Sequence, residues 1–143
     1  MLFGRNVVLV ADDDREFAEE LQEALAGSGY IPVIVGESEI MSAAREITPD
    51  LILLDVKLGG ADGREIAAKI RANPRLSAIP VILMSGYFGG AGRRFETGPA
   101  PATIRLGKPF SQKDVVTAIN GMLADRNEQA KNRVQAAGQV YAD

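Results

Sequence analysis

Four short runs of the chain are apolar at every position: Val7-Val8-Leu9-Val10, Val33-Ile34-Val35, Leu51-Ile52-Leu53-Leu54 and Val81-Ile82-Leu83-Met84. A run without polar alternation suits a strand covered on both faces, as in a parallel sheet between helical layers. A fifth segment, Thr103-Ile104-Arg105-Leu106, alternates polar with apolar and predicts a strand with one face less covered, at an edge of the sheet.

Between these runs the apolar spacing becomes helical. Phe17, Leu21 and Leu25 recur every fourth residue, Ile66 pairs with Ile70, and Val115, Ile119, Met122 and Leu123 form another stripe. Start signals agree: Asp13 with Glu16, Asp62 with Glu65 and Ser111 with Asp114 have the spacing of a cap or capping box, while Gly27 and Gly29 can end the first helix. The order reads β-α-β-α-β-α-β-(α)-β-α. It predicts an α/β fold with a doubly wound, five-stranded parallel sheet, helices on both faces and a ligand site at the carboxyl ends of the strands.

The place of the fourth helix is irregular. Residues 86–101 hold five glycines and two prolines, and an interior glycine costs a helix about 1 kcal/mol relative to alanine. A short or irregular helix, or a loop in its place, is expected. Gly89-Gly90-Ala91-Gly92 with Arg93 and Arg94 lacks the Lys-Ser/Thr ending of a phosphate-cradling loop and reads as a flexible connector. After Leu123 the chain turns polar, so residues 1–124 are read as the domain and 125–143 as a helical extension and polar tail, with no output domain.

Composition narrows the chemistry. At 143 residues the chain fits one domain, and a net charge of −3 gives no footprint for nucleic acid or anionic lipid. No direct nucleic-acid partner and no membrane partner are expected. The first apolar run is too short to span a bilayer and leads into three aspartates, which points to the cytoplasm. Cysteine and histidine are both absent, so any metal must be held by oxygen.

The residues that follow each strand carry the candidate chemistry: Asp12-Asp13-Asp14 after the first, Asp55 ending the third, Ser85 after the fourth and Lys108-Pro109 after the fifth. Carboxylates crowded on one rim repel one another unless a cation intervenes, and a few oxygens with room for water suit Mg²⁺ (or Mn²⁺). An aspartate beside that cation could attack a phosphoryl donor, with Lys108 and Ser85 holding phosphoryl oxygens.

Taken together, Val8-Leu-Val-Ala-Asp-Asp-Asp14, Leu51-Ile-Leu-Leu-Asp55, Leu58-Gly-Gly-Ala-Asp-Gly63, Val81-Ile-Leu-Met-Ser-Gly86 and Lys108-Pro-Phe110 resemble the receiver domains of two-component response regulators. The resemblance covers about residues 5 to 124. It implies a flavodoxin-like strand order 2-1-3-4-5. It also implies Asp55 as phosphoacceptor, Asp12 and Asp13 with Asp55 and the Lys57 carbonyl as Mg²⁺ ligands, Ser85 as switch hydroxyl and Lys108 as phosphate-sensing ammonium. Receivers of this kind take the phosphoryl group from a histidine kinase or a histidine phosphotransfer protein and signal through partner proteins, as monomers or phosphorylation-dependent dimers.

The sequence departs from the family at Arg105, where an aromatic residue is common, and across residues 86–101, which suggests an order-disorder switch there on phosphorylation. Two other readings remain at this point. One is a pseudo-receiver that switches without phosphorylation. The other is a phosphatase of the haloacid-dehalogenase type using Asp12 and Asp14.

Overall fold

The computed structural model describes residues 6–58, 60–85, 93–96, 103–107 and 113–124. In chain order the elements are β1 (Val7–Ala11), α1 (Arg15–Gly27), β2 (Ile31–Val35), α2 (Ile40–Ile47), β3 (Leu51–Asp55), β4 (Lys57–Leu58), β5 (Ala61–Asp62), α3 (Gly63–Ala72), β6 (Val81–Ser85), β7 (Arg93–Glu96) and β8 (Thr103–Gly107). A helix over residues 113–124 follows.

The main sheet has the order β2-β1-β3-β6-β8-β7. From β2 through β8 every neighbouring pair is parallel, so the five expected strands stand in the expected 2-1-3-4-5 order. β7 adds a sixth strand, antiparallel to β8. The Thr103 strand is therefore second from the edge rather than at it. Arg93–Glu96 is too short for a helix and is bracketed by glycine and proline, whereas four residues suffice for a strand against β8. The rest of the 86–101 segment and the extension over 125–143 lie outside the described residues, as do Ser111 and its cap.

Successive side chains of a strand point to opposite faces, and the apolar runs use both. Val8, Val10, Leu51, Leu53, Ile82 and Met84 join Leu21 and Leu25 of α1 and the Val115–Leu123 stripe in one core. Leu9, Ala11, Ile52, Leu54, Val81 and Leu83 join α2 and α3, through Ile40, Ala44, Ile66, Ala67 and Ile70, in the other. Each fully buried aliphatic side chain contributes roughly 1.5–3 kcal/mol, so β1 and β3, apolar on both faces, anchor the molecule at its centre.

Local signals set the boundaries. The N-cap of α1 is Asp14, one residue later than the Asp13–Glu16 spacing suggested: its side chain accepts the Phe17 N–H at 3.1 Å. Asp62 caps α3 as expected, accepting the Arg64 N–H at 2.8 Å. α1 ends at Gly27 with Ser28 as C-cap, and Gly29 takes a φ of 92° that only glycine adopts readily. Ile31 donates its N–H to Asn6 at 2.9 Å, toward β1; the next nitrogen, that of Pro32, therefore faces away from the sheet, where an absent N–H costs nothing and blunts that edge.

Candidate functional site

β1 and β3 lie side by side at the sheet's centre with Ala11 opposite Leu54. The next residue on each is an aspartate, so parallel register alone brings Asp12 and Asp55 to the same level at the carboxyl ends of the strands. Asp13 completes the group: carboxylate oxygens of Asp12, Asp13 and Asp55 lie within 4.8 Å of one another. Asp12 is 8% exposed and Asp55 5%, the buried charged residues among those described, while Asp13 is exposed.

Backbone amides fix two of these carboxylates. Oδ1 of Asp12 accepts the N–H of Asp14 at 2.9 Å, and Oδ1 of Asp55 accepts the N–H of Lys57 at 3.1 Å. Past Asp55 the chain stays locked, because Val56 donates to the Met84 carbonyl at 2.8 Å and accepts from Gly63 at 2.7 Å. Between these points β4 and β5 form a short antiparallel hairpin that returns the chain to α3.

Three carboxylates this close repel one another by roughly 1 kcal/mol per pair in water and about 4 kcal/mol at the effective dielectric of a protein surface. A divalent cation among them reverses that cost. The donor set is all oxygen, in a chain with no histidine or cysteine, which fits a hard cation and not a soft one. The arrangement is an acidic site of the kind that binds a divalent metal.

Asp14 does not join the cluster, since its carboxylate caps α1. The phosphatase reading required Asp12 and Asp14 as a working pair, and the second acid is committed to the helix. Ser85 ends β6, one residue beyond the Asp55–Met84 register pair, and stands opposite Gly107 on β8. Its backbone thus reaches the same rim as Asp55. Lys108 and Pro109 follow Gly107 and lie outside the described residues. Arg105 stands between Leu83 of β6 and Arg94 of β7.

The rim also opens sideways into a cleft of about 460 Å³ between α1 and the β2–α2 segment, lined by Asp12, Asp13, Arg15, Glu19, Val35 and Glu39 among others. One residue that matters here carried no assigned role in the sequence. Gly63, buried at the start of α3, touches the backbone that presents Asp55: a Cβ there would stand 2.3 Å from the Asp55 carbonyl oxygen. The available signal was a glycine at the first position of a helix, directly after its cap.

A doubly wound sheet with three acids gathered at its carboxyl rim defines a class of α/β domains with an acidic site suited to a divalent cation. The family model for the response regulator receiver domain matches residues 8–120. The chain belongs to that family.

Among curated relatives, the DNA-binding response regulator MtrA of Mycolicibacterium smegmatis is 30% identical over 146 aligned positions, covering 97% of this chain and 59% of that protein. The transcriptional regulatory protein GltR of Pseudomonas aeruginosa is 32% identical over 123 positions, covering 84% of this chain and 49% of that protein. The chain thus spans between about half and three fifths of these relatives.

Among solved structures, the receiver domain of Francisella response regulator 1452 superposes with a TM-score of 0.72 at 21% identity, over 85% of this chain and 99% of that one. The chemotaxis response regulator CheY4 of Vibrio cholerae does so with a TM-score of 0.68 at 19% identity, over 82% and 98%. These two likenesses establish the fold. No helix among the described residues is long and apolar enough to cross a membrane.

Proposed function

We propose that the chain is a phosphoryl-accepting signalling switch of a two-component or phosphorelay system, with Asp55 as the acceptor. The observation that carries this reading is the meeting of Asp12, Asp13 and Asp55 oxygens within 4.8 Å at the ends of adjacent central strands. A buried acid at the end of an apolar strand, 5% exposed and beside two other acids, is in the kind of setting where functional groups occur.

Asp12, Asp13, Asp55 and the main-chain carbonyl of Lys57 would hold Mg²⁺ or Mn²⁺. When bound, the cation neutralises charge on the transferring phosphoryl group and on the acids around it. Asp55 then attacks phosphorus through a carboxylate oxygen. The P–N bond of a phosphohistidine donor breaks with its electron pair passing to the ring nitrogen, the donor ring, protonated at its other nitrogen, leaves as neutral imidazole, and an acyl phosphate forms. Hydrolysis by water later returns the carboxylate and releases phosphate. The amide of Lys57, bonded to Oδ1 of Asp55, holds the carboxylate in one orientation. Ser85 donates a hydrogen bond to a phosphoryl oxygen, and Lys108 supplies a compensating ammonium charge.

The donor is a histidine kinase or a histidine phosphotransfer protein, because the chain has no histidine to serve as its own. With a net charge of −3, output through a protein partner in the cytoplasm fits better than direct contact with nucleic acid. Residues 1–124 make up the switching domain and 125–143 its extension. Beyond assisting its own phosphorylation and slow dephosphorylation, the site turns over no substrate.

Incubation with Mg²⁺ and acetyl phosphate, followed by mass spectrometry, tests the reading. Wild type gains one phosphoryl group, mapped to Asp55, and Asp55→Asn gains none. An unmodified wild type that still binds Mg²⁺ supports instead a receiver that switches without phosphorylation, the alternative that Arg105 in place of an aromatic residue favours.

A further inference from the structure

The main-chain carbonyl of Lys57 can serve a cation only where the backbone faces the acids, and the register of the β4–β5 hairpin turns it that way. Gly63 donates its N–H to the Val56 carbonyl at 2.7 Å, one position outside the pair formed by Lys57 and Asp62. In an antiparallel ladder, hydrogen-bonded pairs alternate with pairs that are not bonded to each other. Val56 and Gly63 occupy a bonded position, so Lys57 and Asp62 occupy the alternate one, and their backbone groups point away from the partner strand. The Lys57 N–H accordingly reaches Oδ1 of Asp55 at 3.1 Å. The carbonyl of a strand residue lies on the same side as its N–H, which puts the Lys57 carbonyl on the side of the acidic cluster.

Asp62 is at once the last residue of β5 and the N-cap of α3. Its Oδ1 accepts the Arg64 N–H at 2.8 Å, and its two oxygens take the Arg64 guanidinium at 2.8 to 3.3 Å. We infer that Asp62 is a positioning residue for the metal site: its cap fixes the start of α3, the start of α3 fixes β5, and the pairing of β5 with β4 turns the Lys57 carbonyl toward the acids. Strands of two residues hold little stability of their own, so the hairpin takes its register from the helix that follows it. Without the cap, the first turn of α3 loses an acceptor for one of the N–H groups that no helical carbonyl can satisfy. The Gly63–Val56 bond that closes the base of the hairpin is one residue away from that loss. The inference rests on the reading of the three acids as a divalent-cation site, and adds to it a residue that itself touches no ligand.

Calorimetric titration of the full chain with Mg²⁺ tests this, together with amide hydrogen exchange at Lys57, which needs no metal. Asp62→Ala should weaken Mg²⁺ binding by about tenfold, as the loss of groups that orient a metal ligand does, and should speed exchange of the Lys57 N–H. Asp62→Asn keeps an acceptor oxygen for the cap and should stay near wild type in both. So should Arg64→Ala, which retains the capped N–H and loses only the guanidinium. Asp14→Ala is the control for a merely structural role: it removes a cap of the same kind from α1 and should leave Mg²⁺ affinity and Lys57 exchange as they are. Should Asp62→Ala not fold, Asp62→Gly, a milder loss at a cap position, takes its place with the same expected result. An Asp62→Ala that binds Mg²⁺ as tightly as wild type overturns the inference and leaves the cation reading standing. An Asp62→Asn as weak as Asp62→Ala also overturns it, because the charge and not the cap would then matter. A wild type that binds no Mg²⁺ removes the cation reading and the inference with it.

Discussion

Gly63 and Asp55 are in such close contact that a Cβ on the glycine would lie 2.3 Å from the aspartate's carbonyl oxygen and 3.0 Å from its carbonyl carbon. No side chain fits at that separation, and the obstacle is backbone, which cannot rotate aside. The start of α3 therefore sets where the Asp55–Val56 segment lies, with the 2.7 Å bond from Gly63 to Val56 holding the two together. Gly63→Ala should cost about 1–3 kcal/mol by overpacking and slow phosphorylation of Asp55 by shifting its carboxylate. Gly60→Ala, where a Cβ meets nothing within 4 Å, should leave both unchanged. Urea denaturation and phosphorylation kinetics on the two variants make the comparison. Equal behaviour of the two would remove the positioning role.

The three consecutive aspartates after β1 divide their work, and substitutions should separate the parts. Asp14 caps α1, so Asp14→Ala should lower stability by about 1 kcal/mol while leaving Mg²⁺ affinity intact. Asp13, exposed and in the acidic cluster, should behave oppositely. Asp13→Asn relieves repulsion in the metal-free protein and weakens Mg²⁺ binding on the order of tenfold. Denaturation midpoints with Mg²⁺ and with chelator read both effects, since a ligand that binds only the folded state raises the midpoint. A Mg²⁺-dependent shift that survives Asp13→Asn undiminished would exclude Asp13 as a ligand.

The parallel part of the fold was legible because its strands are buried on both faces, which leaves unbroken apolar runs, and because Leu21, Leu25, Ile66 and Ile70 repeat at helical spacing and are buried as that spacing requires. The acidic cluster was legible for the same reason: parallel strands of similar length end on one rim, so Asp12 and Asp55 needed only their positions after two runs. What was not legible depends on contacts between distant segments. Thr103–Gly107 alternates like an edge strand, yet β7 covers it, and nothing in Arg93–Glu96 announces a strand. The choice of Asp14 over Asp13 as helix cap turns on one residue of phase, since both acids precede the same stripe. The role of Gly63 lies in its contact with the Asp55 backbone, which no local pattern in the chain reveals.

Arg71 closes the segment between α3 and β6. Its Nη1 donates to the carbonyls of Ser77 at 3.2 Å and Ile79 at 2.9 Å, beside the buried side chains of Leu76 and Ile79. Partial burial lowers its pKa from the ordinary arginine value, though guanidinium remains charged throughout the physiological range. Arg71→Met keeps an apolar stem but deprives two carbonyls of a charged donor. It should cost about 2 kcal/mol, with Arg71→Lys intermediate because an ammonium lacks the planar fork. Equilibrium denaturation of the three proteins ranks them. A methionine variant as stable as wild type would show that the clamp contributes nothing net.

Tyr30 ties the start of β2 to the last helix through a hydrogen bond from its hydroxyl to Oδ1 of Asn120. Burial raises the phenol's pKa above its ordinary value. The sign of the linkage follows from which state ionises first. As pH climbs through the ordinary tyrosine range near 10, the unfolded chain loses its proton while the folded one still holds it, so unfolding becomes easier. Tyr30 therefore stabilises fully below that range, and its contribution disappears as pH passes the folded pKa. Tyr30→Phe should cost up to about 1 kcal/mol at neutral pH, and the gap to wild type should shrink above pH 10 or so. Thermal melts of the pair across alkaline pH measure that gap, with all other titrating groups common to both proteins. A gap that stays constant would mean that the phenol titrates as it does in the unfolded chain, and one that widens that folding favours its ionised form.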